Sequence, residues 1–316
     1  MKIRGMEFGH VFAASGVQGF FGEGYWYHPY VRPIGMNFDG MTFVSKTTTL
    51  SAREGNMKDG EMFPKCVVVK PFKSIALNSV GLRGPGAATL FADGRWQERT
   101  EPFLISFMSI ADTAEKRIDE FRQFCQLLLI HISQFKTPFG LQVNVSCPNV
   151  GLDTAHLLHE VKEYARLVTL LIPYVAIMVK VNAVVSVRAA LELSQINGID
   201  ALCVSNTIPW GKLPDQIDWV GLFGSDVSPL AQYGFGNGGL SGAPLLPIVE
   251  KWVKAARDIG ITIPINAGGG ILSHTDAERL ITAGADSVFI GSMAFLRPWR
   301  VSKTVRHINK LMNKES

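Results

Sequence analysis

Short, nearly uninterrupted apolar runs recur along this chain of 316 residues, and stretches of helical period separate most of them. The runs are "MTFVSK" (41–46), "FLISFM" (103–108), "LQVNVS" (141–146), "VAIMVKV" (175–181), "ALCVSN" (201–206), "TIPINA" (262–267) and "DSVFIG" (286–291), with a weaker one inside 66–78. Strands of a parallel sheet covered on both faces read this way, because neither face alternates with water. Helical stretches follow. "DTAEKRIDEFRQFCQLLLIHIS" opens with Asp112 and Glu115 at capping-box spacing. "TAHLLHEVKEYARLVTLLI" carries Leu158, Val161, Ala165, Val168 and Leu171 on one stripe. Eight strands, most followed by a helix, predict a (β/α)8 TIM barrel in one domain spanning 1–316. An open dinucleotide fold is disfavoured, since no GxGxxG follows the first strand. After the sixth strand about 35 residues pass before the next helix, a length that suggests a substrate wall or lid.

Hydrophobic residues make up 47% of the chain and charged ones 18%, as in a well-buried globular protein. No apolar run approaches the ~20 residues of a membrane span, and the start shows no secretory signal, so a cytoplasmic protein is expected. The net charge of +4 is mild. The basic tail has Val301, Val305, Ile308 and Leu311 on one helical side, which reads as a solvated helix face and not a nucleic-acid patch. Cys66, Cys125, Cys147 and Cys203 are far apart and form no CxxC or Cys/His ligand spacing. A disulfide framework or a metal site is therefore not expected. Cys147, in "NVSCPN", is left as core filler, nucleophile or acid/base.

In such a barrel the chemistry collects at the C-terminal ends of the strands. Those ends carry Lys46, Asn78, Asn144 with Ser146 and Cys147, Lys180, Asn206 with Thr207, Gly268 to Gly270, and Gly291 with Ser292. A lysine inside "VAIMVKVNA" is hard to explain by packing, because a buried ammonium costs several kcal/mol unless paired. "NAGGGI" and "FIGSM", after the seventh and eighth strands, stand where barrels hold a phosphate on backbone N–H groups. A mononucleotide cofactor or a phosphorylated substrate fits that pattern.

"ASGVQGFFGEGY", "VSKTTTLSAREGN", "LNSVGLRGPG", "NVSCPN", "VKVN", "VSNT", "GGLSGAP", "AGGGI" and "GADSVFIGSM" resemble, in order, the motifs of the dihydroorotate dehydrogenase family, from about residue 7 to 300. The resemblance implies an FMN enzyme that oxidises (S)-dihydroorotate to orotate in pyrimidine biosynthesis. It places flavin contacts on Ala14, Ser15, Gly16, Lys46, Thr47, Asn78, Asn144, Lys180, Thr207, Gly242, Gly269, Gly270, Gly291 and Ser292. Substrate contacts fall on Asn78, Ser79, Val80, Gly81, Leu82, Asn144, Asn149, Asn206 and Thr207. The base maps onto Cys147, with Lys46 and Lys180 beside the flavin. A cysteine at that position is similar to the soluble class 1 enzymes, whose electron acceptor is fumarate or NAD⁺, the latter through a separate iron–sulfur flavoprotein subunit. That class works as a homodimer or within a heterotetramer. "VGLDTAHLL" reaches the next helix sooner than in the family, and Trp210 and Trp219 have no assigned role beyond packing. The rival readings are an FMN barrel acting on another dihydropyrimidine, a phosphate-binding lyase with Lys180 as Schiff-base nucleophile, and a catalytically silent barrel.

Overall fold

The computed structural model describes residues 1–58, 61–62, 64–145 and 154–315. Seven parallel strands stand side by side: Val11–Ala13, Ser287–Ile290, Ile265–Ala267, Ala201–Val204, Ala176–Val181, Phe139–Asn144 and Phe103–Phe107. The segment 42–48 joins the two outer strands. It bridges Phe12 through Thr42 on one side, and Leu104 and Phe107 through Val44 and Thr48 on the other, all parallel. Thr42 N donates to Val11 O at 2.8 Å and Ser45 N to Leu104 O at 2.9 Å, so the ring closes on backbone hydrogen bonds. Closure removes the unpaired edges that an open sheet would expose.

One strand of this barrel differs from the sequence expectation. Residues 66–78 do not enter the ring; Val67–Lys70 and Ile75–Asn78 form an antiparallel hairpin around a turn with Ser74 at φ 55°. Gly239–Gly242 and Ile208–Pro209 extend it to four strands. The eighth strand is instead Val11–Ala13, between 42–48 and Ser287–Ile290, and three residues are too few to show a period.

The segment 207–243 carries its own short elements, including the Trp219–Phe223 helix, and has its own core. Ile75, Leu77, Ile208, Ile217, Leu230 and Leu240 pack there with both tryptophans. The Trp210 and Trp219 rings lie 4.8 Å apart, and Trp219 Nε1 donates to Lys212 O at 3.0 Å, so both are packing residues. Lys70 and Lys73 hold the Trp219–Phe223 helix by donating to its free carbonyls at Gly221, Leu222 and Phe223.

Helices Ala114–His131, Thr154–Leu171, Val187–Ser194, Leu245–Asp258, His274–Thr282 and Val301–Glu315 surround the barrel. The first is capped by Thr113, whose hydroxyl accepts from Lys116 N at 3.3 Å, and not by Asp112. Asp112 instead offers its carbonyl to Arg117 Nη1. On Thr154–Leu171 the buried face is wider than the expected stripe. Val161, Ala165 and Val168 are buried and joined by Leu157, Tyr164 and Leu167, while Leu158 and Leu171 lie at its margin. Arg117 and Glu160, both nearly buried, pair across these two helices at 2.7 Å.

Inside the barrel, the N-terminal ends of the strands are plugged. Met1, Ile3 and Phe8 pack on Phe12, Val44, Leu104, Ala176, Met178, Ala201 and Phe289. Above the plug a chain of polar side chains crosses the interior. It runs from Thr47 to Ser106 (2.9 Å), Ser106 to Gln142 (3.3 Å), Gln142 to Cys203 (3.7 Å), Cys203 to Asn266 (3.5 Å) and Asn266 to Ser287 (2.7 Å).

Beside the barrel, His28 is buried among Tyr25, Tyr27 and Phe38, and no described residue bonds its Nε2. Burial, helped by Arg32, pushes its pKa down from 6.5 to about 4. Between those values the unfolded chain binds more protons than the folded one, so stability should fall as pH drops through this window. Urea denaturation at several pH values should show this slope, and His28→Phe should flatten it.

Candidate active site

Side chains alternate along a strand, so residues two apart share a face. Phe12, Val44, Met178, Cys203 and Phe289 face the barrel interior. Two residues further along lie Ala14, Lys46, Lys180, Ser205 and Gly291, and Asn144 stands two beyond Gln142 of the interior chain. The mouth is therefore the next inward layer. Parallel register sets Asn144 beside Lys180 and Lys180 beside Cys203, while Asn206 Nδ2 donates to Asn144 Oδ1 at 3.2 Å. Thr207 N donates to Asn206 Oδ1 at 2.9 Å, which orients that amide. Ser15 Oγ lies 2.8 Å from Thr47 Oγ1 and donates to Ser45 O at 2.8 Å.

Lys180 is 6% exposed. No described residue accepts a hydrogen bond from its ammonium, which lies 5.6 Å from the Phe289 ring centroid. Burial lowers its pKa. Lys46 lies 5.1 Å from the Phe20 ring centroid, and its pKa is also lowered, by burial and then by the charge of Arg83. Two cations held against their own desolvation call for an anionic or electron-rich partner. Cys203, directly beneath Lys180, is pushed up to about 12 by burial and stays a neutral thiol.

At the ends of the Ile265–Ala267 and Ser287–Ile290 strands, no described residue accepts from the backbone N–H groups of Gly269, Gly270, Gly291 and Ser292. Buried or half-buried donors of this kind fit a phosphate. Gly242 and Gly270 have a second requirement. A Cβ on Gly270 would approach Leu246 N to 2.6 Å, and one on Gly242 would approach Ser74 O to 2.2 Å. These two glycines allow the hairpin, the strand end and the next helix to touch.

Asn78 ends its hairpin strand opposite Gly239. The loop after it turns through Gly81 (φ 75°) and Leu82 (φ 55°), a left-handed pair that is costly for leucine. Ser79 is used by the fold: its hydroxyl donates to Phe235 O at 2.6 Å and its N–H to Cys66 O at 2.8 Å. Val80 accepts from Asn56 N at 2.9 Å. Ser146, Cys147 and Asn149 lie outside the described residues.

A cavity of about 1300 Å³ opens beside Lys46. Among the described residues, Arg53, Lys58, Lys65 and Arg83 line it together with the acids Glu54 and Glu61. The sequence reading missed this rim. Its residues stand in irregular segments that periodicity does not register, although "SAREGN" and "GLRGPG" carry two of the arginines in plain view.

The described residues contain no group of three or more His, Cys, Asp or Glu able to hold a metal, and no helix long and apolar enough to cross a membrane. The family model described as dihydroorotate dehydrogenase matches residues 1–312. Among curated proteins, the catalytic subunit of dihydroorotate dehydrogenase B (NAD(+)) from Listeria monocytogenes serotype 4b is 29% identical over 246 residues, 75% of this chain and 72% of its own. The protein of the same name from Desulforamulus reducens is 29% identical over 302 residues, covering 93% and 87%. That from Cutibacterium acnes is 25% identical over 307 residues, covering 96% and 89%. Because the family model spans residues 1–312 of a closed parallel barrel, the chain belongs to the dihydroorotate dehydrogenase family of FMN-dependent oxidoreductases.

Proposed function

We propose that this mouth oxidises dihydroorotate to orotate with Cys147 as the proton acceptor and with NAD⁺ as the final acceptor through a separate subunit. The observation that carries the reading is the buried ammonium of Lys180, unpaired among the described residues and set beside the Asn144–Asn206 amide pair. FMN, when bound, supplies the two-electron acceptor for the hydride leaving C6. Gly269, Gly270, Gly291 and Ser292 would hold its phosphate on their N–H groups. Lys180 and Lys46 would stabilise the negative charge that accompanies reduction.

The substrate is a ring with amides, carbonyls and a carboxylate that becomes planar when C5 and C6 are oxidised. Asn78, Asn144, Asn149 and Asn206 each offer a donor and an acceptor in one side chain and would fix its orientation. Cys147 would take the C5 proton as a thiolate, going to the neutral thiol. An unperturbed thiol titrates at ~8.5, so a large thiolate fraction at neutral pH needs a lowered value or a hydrogen-bonded proton path. Cys66, Cys125 and Cys203 cannot take this role, because burial raises the pKa of each.

The curated relatives are named as catalytic subunits of an NAD(+) enzyme, which favours a partner subunit over fumarate. An acceptor panel with dihydroorotate tests this. The isolated chain should reduce artificial dyes, give little turnover with fumarate, and use NAD⁺ only when an iron–sulfur flavoprotein subunit is added. Rapid fumarate reduction by the chain alone would overturn the acceptor assignment. Reduction of bound flavin by dihydroorotate before any acceptor is present tests the substrate separately.

The cationic rim would gather the anionic substrate. Raising ionic strength from about 0.05 to 0.5 M shortens the screening length to a few ångströms. KM for dihydroorotate should then rise several-fold while kcat holds. Arg83→Gln should raise KM at low salt and weaken the salt dependence; a change confined to kcat would remove Arg83 from this role.

A further inference from the structure

The backbone of Lys46 is tied to the segment that follows the first barrel strand, since Lys46 N donates to Gly19 O at 2.8 Å. Its ammonium stands over the face of the next residue, 5.1 Å from the Phe20 ring centroid. No described residue accepts a hydrogen bond from that ammonium, and Arg83 opposes its charge more than Glu23 favours it. An aromatic face attracts a cation through its quadrupole, the more so where water is excluded. We propose that Phe20 is the positioning residue for Lys46, its ring face fixing where the ammonium stands in the mouth. This rests on the reading above that Lys46 serves the flavin.

The segment 16–25 is built to present the ring. Glu23 accepts from Phe20 N at 2.9 Å and from Phe21 N at 2.7 Å, and Tyr25 Oη donates to Gly16 O at 2.5 Å. Trp96 Nε1 donates to Phe20 O at 2.6 Å. These bonds fix the backbone on both sides of Phe20.

The tip of the ring is fixed as well. It rests on Gly84, where a Cβ would come within 2.7 Å of Phe20 Cζ. Gly84 is itself clamped, exchanging backbone hydrogen bonds with Arg53 at 2.8 and 3.0 Å. The ring is thus bounded by backbone at its tip and by the ammonium over its face. Phe20, Lys46 and Gly84 all line the 1300 Å³ cavity, so this contact stands at the site and not in the core.

Two variants disturb the contact differently. Phe20→Leu keeps apolar bulk and removes the aromatic face, whereas Gly84→Ala keeps the ring and displaces its tip. Each is made in the wild-type chain and in Lys46→Met, and the bound FMN is equilibrated anaerobically with a reference dye of known potential. Each should make the flavin about fivefold harder to reduce in the wild-type chain, the scale of one cation–π contact. Neither should add to the shift that Lys46→Met causes alone, because both act through that ammonium. The same shift in both backgrounds would make Phe20 a packing residue and overturn the proposal. If Lys46→Met moves the equilibrium and Phe20→Leu does not, the positioning role alone falls. If Lys46→Met moves nothing, the assignment of Lys46 to the flavin falls and this proposal with it.

Discussion

Cys147→Ala is expected to hold FMN as well as the unaltered protein does and to lose about 10²- to 10⁴-fold in flavin reduction by dihydroorotate, the usual contribution of a positioned base. The loss should be severe because no other thiol can substitute. Cys203 and Cys125 are both pushed up to about 12 by burial, and Cys66 is buried and raised as well. Cys147→Ser should keep some activity with its profile moved to higher pH, since a hydroxyl gives up its proton less readily than a thiol. Anaerobic stopped-flow reduction reads both effects without any acceptor. An alanine variant that reduces its flavin at the normal rate would remove Cys147 from the chemistry.

The second large effect concerns Lys180, and the two forms of the protein should respond in opposite directions. Its ammonium is buried with no hydrogen-bond acceptor among the described residues, and burial lowers its pKa. Replacing a buried, uncompensated charge with a side chain of similar length relieves about 1–4 kcal/mol. Apo Lys180→Met should therefore melt a few degrees higher than apo wild type. On the proposed reading the flavin partners this charge, and losing it should weaken FMN affinity on the order of 100-fold. Thermal melts with and without FMN, together with equilibrium dialysis, separate the two. A variant with full, tight flavin occupancy would show that this lysine does not serve the cofactor.

The sequence displayed much of this site because strand ends are short, ordered and rich in unusual residues. Lys180 stood out as the one cation in "VAIMVKV", and the structure buries it at the mouth beside Asn144. Six apolar runs and the 41–46 segment entered the barrel in the expected order. The first strand was hidden because Val11–Ala13 spans only three residues. The hairpin around Ser74 looked like a barrel strand because local composition cannot distinguish antiparallel from parallel pairing. Thr113 displaced Asp112 as the cap, a choice between neighbours that both suit the position. The interior polar chain was visible as Ser106, Gln142, Asn266 and Ser287 inside apolar runs, but only closure of the ring shows that they meet.

That chain of side chains, with the apolar plug beneath it, makes the barrel a cup and not a pipe. From Thr47 to Ser287 the interior is bridged by contacts of 2.7 to 3.7 Å, and Met1, Ile3 and Phe8 fill the space below. Substrate and product, too large to pass this filled interior, must then enter and leave by the same rim, and the opposite end of the barrel is packed with apolar side chains.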